Sequence, residues 1–113
     1  MVAVIDEAAQ LGELSVSPIS AWEIGMLVAR GRTPITKHPT DYFDSFLRET
    51  GAQLCKLDVA ILVNSSYLPG RIHADPMDRL LIETARSQDL TLLTSDKVIL
   101  NYGLQGHVKT LAC

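Results

Sequence analysis

Cysteine, basic charge and long apolar runs are all scarce in this sequence, and each scarcity excludes something. Only two cysteines occur in 113 residues. Cys55 and Cys113 have neither metal-ligand spacing nor partners enough for a disulfide framework, so they read as ordinary reduced thiols. No apolar stretch is long enough to span a bilayer. The opening residues are apolar but lack a basic leader region and run at once into Asp6 and Glu7. A cytoplasmic protein with no membrane partner is expected. Lysine and arginine number 10 against 13 acids, a net charge of -3. That deficit argues against a tight, sequence-independent nucleic-acid binder. It leaves room for an enzyme whose acids gather in one cleft. Repeats, linkers and low-complexity segments are missing too. With 47% hydrophobic and 20% charged residues, the chain has the composition of one globular domain, residues 1–113.

What is present is a regular alternation of short strands and helices. Residues 2–11 read as an Ala-rich helix ending at Gly12. A strand follows at 14–17, closed by Pro18. Ser20, with Glu23 three residues on, has the spacing of a capping box and predicts a helix to Arg30, stopped by Gly31. Thr40 or Asp41 opens the next helix, which ends at Gly51. A strand at 53–57 leads to Asp58, which caps a helix to about residue 67. Asp75-Pro76 is a strong start, an acidic N-cap with proline at the first helical position. Leu80, Leu81, Ile82 and Ala85 give that helix a wide apolar face. Residues 90–94 form a buried strand, Asp96 begins a single helical turn, and 108–111 form a last strand. The pattern predicts an α/β fold, a short parallel sheet flanked by helices.

In such sheets ligands bind beyond the carboxyl ends of the strands. Acids collect there. Glu23 lies one turn after the first strand, Asp96 directly after the strand at 90–94, and Asp75 and Asp78 on one face at the start of the helix before it. Clustered carboxylates repel and lose hydration, and a cation relieves both. Oxygen donors without His or Cys suit magnesium or manganese. Such an ion activates water and stabilises charge on a phosphate. Each acid also has a structural reading: Asp75, Asp96 and Asp58 as helix caps, Glu23 as partner of Ser20. The functional reading rests on the set.

Three blocks carry a family resemblance. Residues 16–24, Val-Ser-Pro-Ile-Ser-Ala-Trp-Glu-Ile, resemble the second-strand segment of PIN-domain proteins, and nearest the toxins of VapBC toxin–antitoxin pairs. His73 to Ile82, with its Asp-Pro-x-Asp-Arg core, resembles the helix bearing that family's third acid. Leu90 to Asp96 resembles its fourth strand and fourth acid. The resemblance implies a PIN-like three-layer fold and a magnesium-dependent endoribonuclease, VapC-like, dimeric and held in check by a cognate antitoxin. It implies Glu23, Asp78 and Asp96 as metal ligands and catalytic acids, with Asp75 as an accessory acid. It also implies that Thr94 orients Asp96 by a hydrogen bond, and that Arg79 and Lys97 meet RNA phosphates, unless both are plain surface charges. Trp22, Met26, Tyr42 and Phe46 read as core, with an antitoxin groove as the alternative.

One part of the family pattern is missing. Its first strand, central in the sheet, ends in a principal metal-binding aspartate. Asp6 follows an apolar run, but only seven residues separate it from Leu14, too few for a parallel crossover of about a dozen. The first strand is therefore expected to be absent, the domain truncated at its N-terminus. Two functions follow: a metal-dependent ribonuclease, or a catalytically impaired remnant that binds antitoxin or itself. A phospho-acceptor receiver domain, with Asp58 as acceptor, lacks the acid pair such a site needs after its first strand.

Overall fold

Proline sets the start of three helices. The computed structural model describes residues 14–113, so the helix expected at 2–11, and Asp6 with it, lie outside the described residues. Ser17 is extended and its Oγ accepts the Ile19 N–H at 3.1 Å. Pro18 then takes the first helical position, where its missing N–H costs nothing. Helix α1 therefore spans Pro18–Ala29. It starts three residues before the helix expected from a Ser20–Glu23 capping box, and that expectation is corrected: with two serines competing for the cap, the one before proline wins. The same logic moves α2 to Pro39–Thr50, where the His38 imidazole accepts the Thr40 N–H at 3.3 Å. Gly51, at φ 68°, closes α2 in the left-handed region that glycine adopts without strain.

The chain divides into two compact units, one ending at Cys55 and the other Lys56–Cys113, where the composition suggests one domain. In the first unit, strand β1 (Ser15–Val16) pairs in parallel with β2 (Gln53–Leu54), with Ser15 opposite Gln53. The Gln53 and Cys55 N–H groups donate to Leu14 and Val16 carbonyls, both at 2.8 Å. α1 and α2 form the crossover and pack on each other. Ile19 and Phe43 are the buried apolar residues among the described residues of this unit. Phe43 also meets Phe46, ring centroids 6.4 Å apart.

The second unit opens with α3 (Val59–Asn64), capped by Asp58, whose Oδ1 accepts the Ile61 N–H at 2.9 Å. A 3-10 turn, Ser65–Tyr67, extends it. Helix α4 spans Pro76–Ser87, strand β3 Thr91–Thr94, helix α5 Lys97–Leu104 and strand β4 Lys109–Ala112. β3 and β4 are parallel, from Thr91 opposite Lys109 to Thr94 opposite Ala112, with α5 as crossover. Asp89 turns the chain between α4 and β3 at φ 54°, a conformation a short polar side chain tolerates. The single turn expected at Asp96 is corrected: α5 has eight residues, because Ile99 and Tyr102, three apart on one face, are both buried.

Ile82 and Tyr102 are the centre of this unit, 0% and 1% exposed, enclosed with Leu68, Ala85, Ile99 and Val108. Buried hydroxyls are satisfied locally: Ser65 donates to the Leu62 carbonyl and Thr84 to that of Leu80, both at 2.7 Å. The Tyr102 hydroxyl donates to the Pro69 carbonyl. Burial pushes the Tyr102 phenol up from its ordinary value, against the pull of Arg86 and Arg79. The core accepts the neutral phenol, so this contribution is complete below the ordinary tyrosine value of about 10 and is lost as pH rises through the higher folded value. Urea unfolding followed from pH 8 upward is expected to show stability falling at the alkaline end. Tyr102→Phe is expected to flatten that fall; an unchanged fall contradicts the assignment.

The architecture is thus mixed α/β, with five α-helices and short parallel strands among the described residues. Parallel pairing is as expected from the alternation. Among the described residues the strands form two two-stranded sheets, where the alternation suggests one. No helix among the described residues is long and apolar enough to cross a membrane.

Candidate acidic site

Three of the four acids singled out in the sequence belong to the second unit. Asp75 is the N-cap of α4, and its Oδ1 accepts the Asp78 N–H at 2.8 Å. Asp78 stands in the first turn of the same helix and is half-buried. Asp96 follows β3 directly and caps α5, its Oδ1 accepting the Val98 and Ile99 N–H groups at 2.8 and 3.2 Å. The turn after α4, closed by the Leu90 N–H on the Ala85 carbonyl at 2.8 Å, sends the chain back as β3, and α4 packs on that strand. A helix running back along its strand has its N-terminus at the strand's carboxyl end. Asp75 and Asp78 therefore share with Asp96 the end of the unit where β3 finishes, the end at which parallel α/β units bind ligands.

Sharing an end is not yet convergence. Among the described residues no three His, Cys, Asp or Glu side chains come together in a group that holds a metal ion. The donor type fits magnesium; the described carboxylates do not assemble the cage. Glu23 sits on α1 in the first unit and is exposed. Thr94 does meet Asp96, but its Oγ1 accepts the Asp96 backbone N–H at 3.0 Å, so it fixes the strand-to-helix corner rather than the carboxylate.

The cap role and a ligand role are separable by substitution. Asparagine caps a helix as well as aspartate does but lacks the charge, whereas alanine does neither. Asp96→Asn is expected to leave thermal stability nearly unchanged, and Asp96→Ala to lower it by about 1 kcal/mol. Equal losses in the two variants contradict a cap role.

The two cations behave differently. Lys97 is exposed at the start of α5. Arg79 turns inward: its Nε donates to the Ser65 carbonyl at 2.9 Å and its Nη1 to the Ile72 carbonyl at 3.2 Å. These two donors tie the loop before α4 to the helix. No sequence signal marks that role, because both acceptors are backbone atoms.

In the first unit the core reading of Trp22 and Tyr42 is corrected. Trp22 is 55% and Tyr42 38% exposed, while Met26 and Phe46 are half-buried. α1 carries a single charge, Glu23, so its apolar residues face every direction and the unit covers only some of them. A cavity of about 570 Å³ opens between α1 and α2, lined by Ala21, Gly25, Val28, Pro39 and Phe43 among others. None of the four residues singled out for a groove lines it. Small side chains make it, a signal the search for large apolar residues misses. Cys55, just past β2, is a free thiol that burial pushes up, with a Ser15 hydrogen bond pulling the other way. Cys113 is free and exposed.

Comparison with known proteins gives no match to any family model, curated protein or solved structure.

Proposed function

We propose that this chain is a PIN-like, magnesium-dependent ribonuclease of the VapC toxin type, carrying part of an acidic phosphodiesterase site. The observation that supports the reading is the placement of Asp75, Asp78 and Asp96 toward one end of the second unit, where β3 finishes. Asp78 and Asp96 are the proposed ligands of magnesium or manganese, Asp75 an accessory acid, and Glu23 a further ligand on resemblance alone. The ion supplies Lewis-acid stabilisation and a water of lowered pKa. RNA is the proposed substrate, and a cognate antitoxin the proposed protein partner, with the α1–α2 cavity as a candidate surface.

A second reading draws on the caps. The Asp75 and Asp96 carboxylates already serve α4 and α5, and carboxylates spent on caps suit a remnant that binds a partner without cleaving RNA. The ion separates the two readings. Manganese titration of the full chain, followed by loss of the free-ion resonance signal, is expected to show a site weakened by on the order of tenfold or more in Asp78→Asn. No binding, or binding indifferent to Asp78, favours the remnant.

A further inference from the structure

Residues 68–75 form neither helix nor strand, and they deliver Asp75 to the start of α4. Contacts from elsewhere in the second unit hold this loop. Leu68 is buried in the core cluster and Ile72 packs against it. The Tyr102 hydroxyl donates to the Pro69 carbonyl. Arg79 donates to the Ile72 carbonyl, and to that of Ser65 just before the loop. Gly70 lies against the His107 ring: a Cβ there would stand 2.8 Å from Nε2, and its φ of 69° favours glycine as well. The His107 ring lies in turn beside that of Tyr102, centroids 4.7 Å apart, and its carbonyl accepts from Arg86.

These contacts link the two helices that carry the acids. Tyr102 stands on α5, six residues after its cap Asp96. Pro69 stands six residues before Asp75, the cap of α4. Arg79 follows Asp78 directly, and its N–H donates to the Asp75 carbonyl at 3.0 Å. A continuous path therefore runs from Asp96 along α5 to Tyr102, across the hydroxyl to Pro69, along the loop to Ile72, and through the Arg79 guanidinium to α4. Helices are rigid members of such a path, and the loop is the adjustable one. We propose that Tyr102 and Arg79 are positioning residues of the acidic site, fixing through this loop the separation of Asp96 from Asp75 and Asp78. Their purpose rests on the ribonuclease reading; their contacts do not, and all lie within the second unit. Neither side chain touches a reacting group.

The test uses the full chain and two variants. Tyr102→Phe removes the hydroxyl and keeps the ring in the core. Ile82→Val trims the same core and leaves the loop contacts alone, so it reports what a merely structural change does. Amide hydrogen exchange is expected to quicken at residues 70–75 in Tyr102→Phe and not in Ile82→Val. Manganese, titrated as free ion, is expected to bind about tenfold more weakly to Tyr102→Phe, and to Ile82→Val as it binds the unaltered chain. Loop exchange that is alike in the two variants overturns the tie. Quickened exchange with manganese affinity unchanged, or affinity lowered equally in both variants, overturns the positioning role and leaves the ribonuclease reading standing. An unaltered chain that takes up no manganese overturns that reading, and the positioning role with it.

Discussion

Replacing Ile82 with alanine is expected to cost about 3 kcal/mol of stability. Ile82 lies at the middle of α4 with no exposed surface, and Leu68, Ala85, Ile99, Tyr102 and Val108 form the same cluster. The loss has two parts, the transfer energy of the deleted methyl and methylene groups and the cavity they leave. Neighbours held by hydrogen bonds cannot close such a gap: Tyr102 is tied to Pro69 through its hydroxyl, and Thr84 to Leu80. Against a total stability of roughly 5–15 kcal/mol, this is a large fraction. Urea unfolding is the measurement. The midpoint is expected to fall with the slope unchanged, and a loss below 1 kcal/mol contradicts this core.

The second large effect is at Arg79. Hydrogen bonds from a charged donor contribute about 1.5–3 kcal/mol each, less where water competes. Arg79 makes two of them, to carbonyls that lie 14 and 7 residues back along the chain. Arg79→Met keeps the stem and removes the fork, and is expected to destabilise the chain by about 2 kcal/mol. Arg79→Lys keeps the charge without the planar fork and is expected to recover only part of that. A residue that served only to meet RNA phosphates would show the opposite pattern, with stability untouched and lysine an adequate substitute.

Punctuation residues made much of the fold legible. Asp75-Pro76, Asp58 and Gly51 each have one conformational use, and each is used in that way. Ambiguity entered where two residues of one type competed, as at Ser17 and Ser20, and proline decided it. The length of α5 was hidden because Tyr102 is buried through long-range contacts that no local pattern shows. The sheets were hidden for the same reason: alternation of elements predicts parallel strands but not which strands share a ladder. The acids stood out in the sequence at strand ends and helix starts. Their geometry was not legible, since a carboxylate at a strand end serves equally as cap or ligand, and among the described residues no three of them come together. Sequence shows both offers, and the backbone takes up the cap at Asp75 and Asp96. Arg79 was legible only as a charge.

The proposed ribonuclease function requires Asp75, Asp78 and Asp96 to form an acidic site that cleaves RNA with a divalent ion. The most direct measurement is cleavage of a mixed, structured RNA by the full chain, with magnesium or manganese and with EDTA, beside Asp78→Asn. Cleavage that EDTA stops and Asp78→Asn abolishes is expected, with the fold of the variant intact by circular dichroism. Absence of cleavage above the Asp78→Asn background, or cleavage that persists in EDTA, contradicts it.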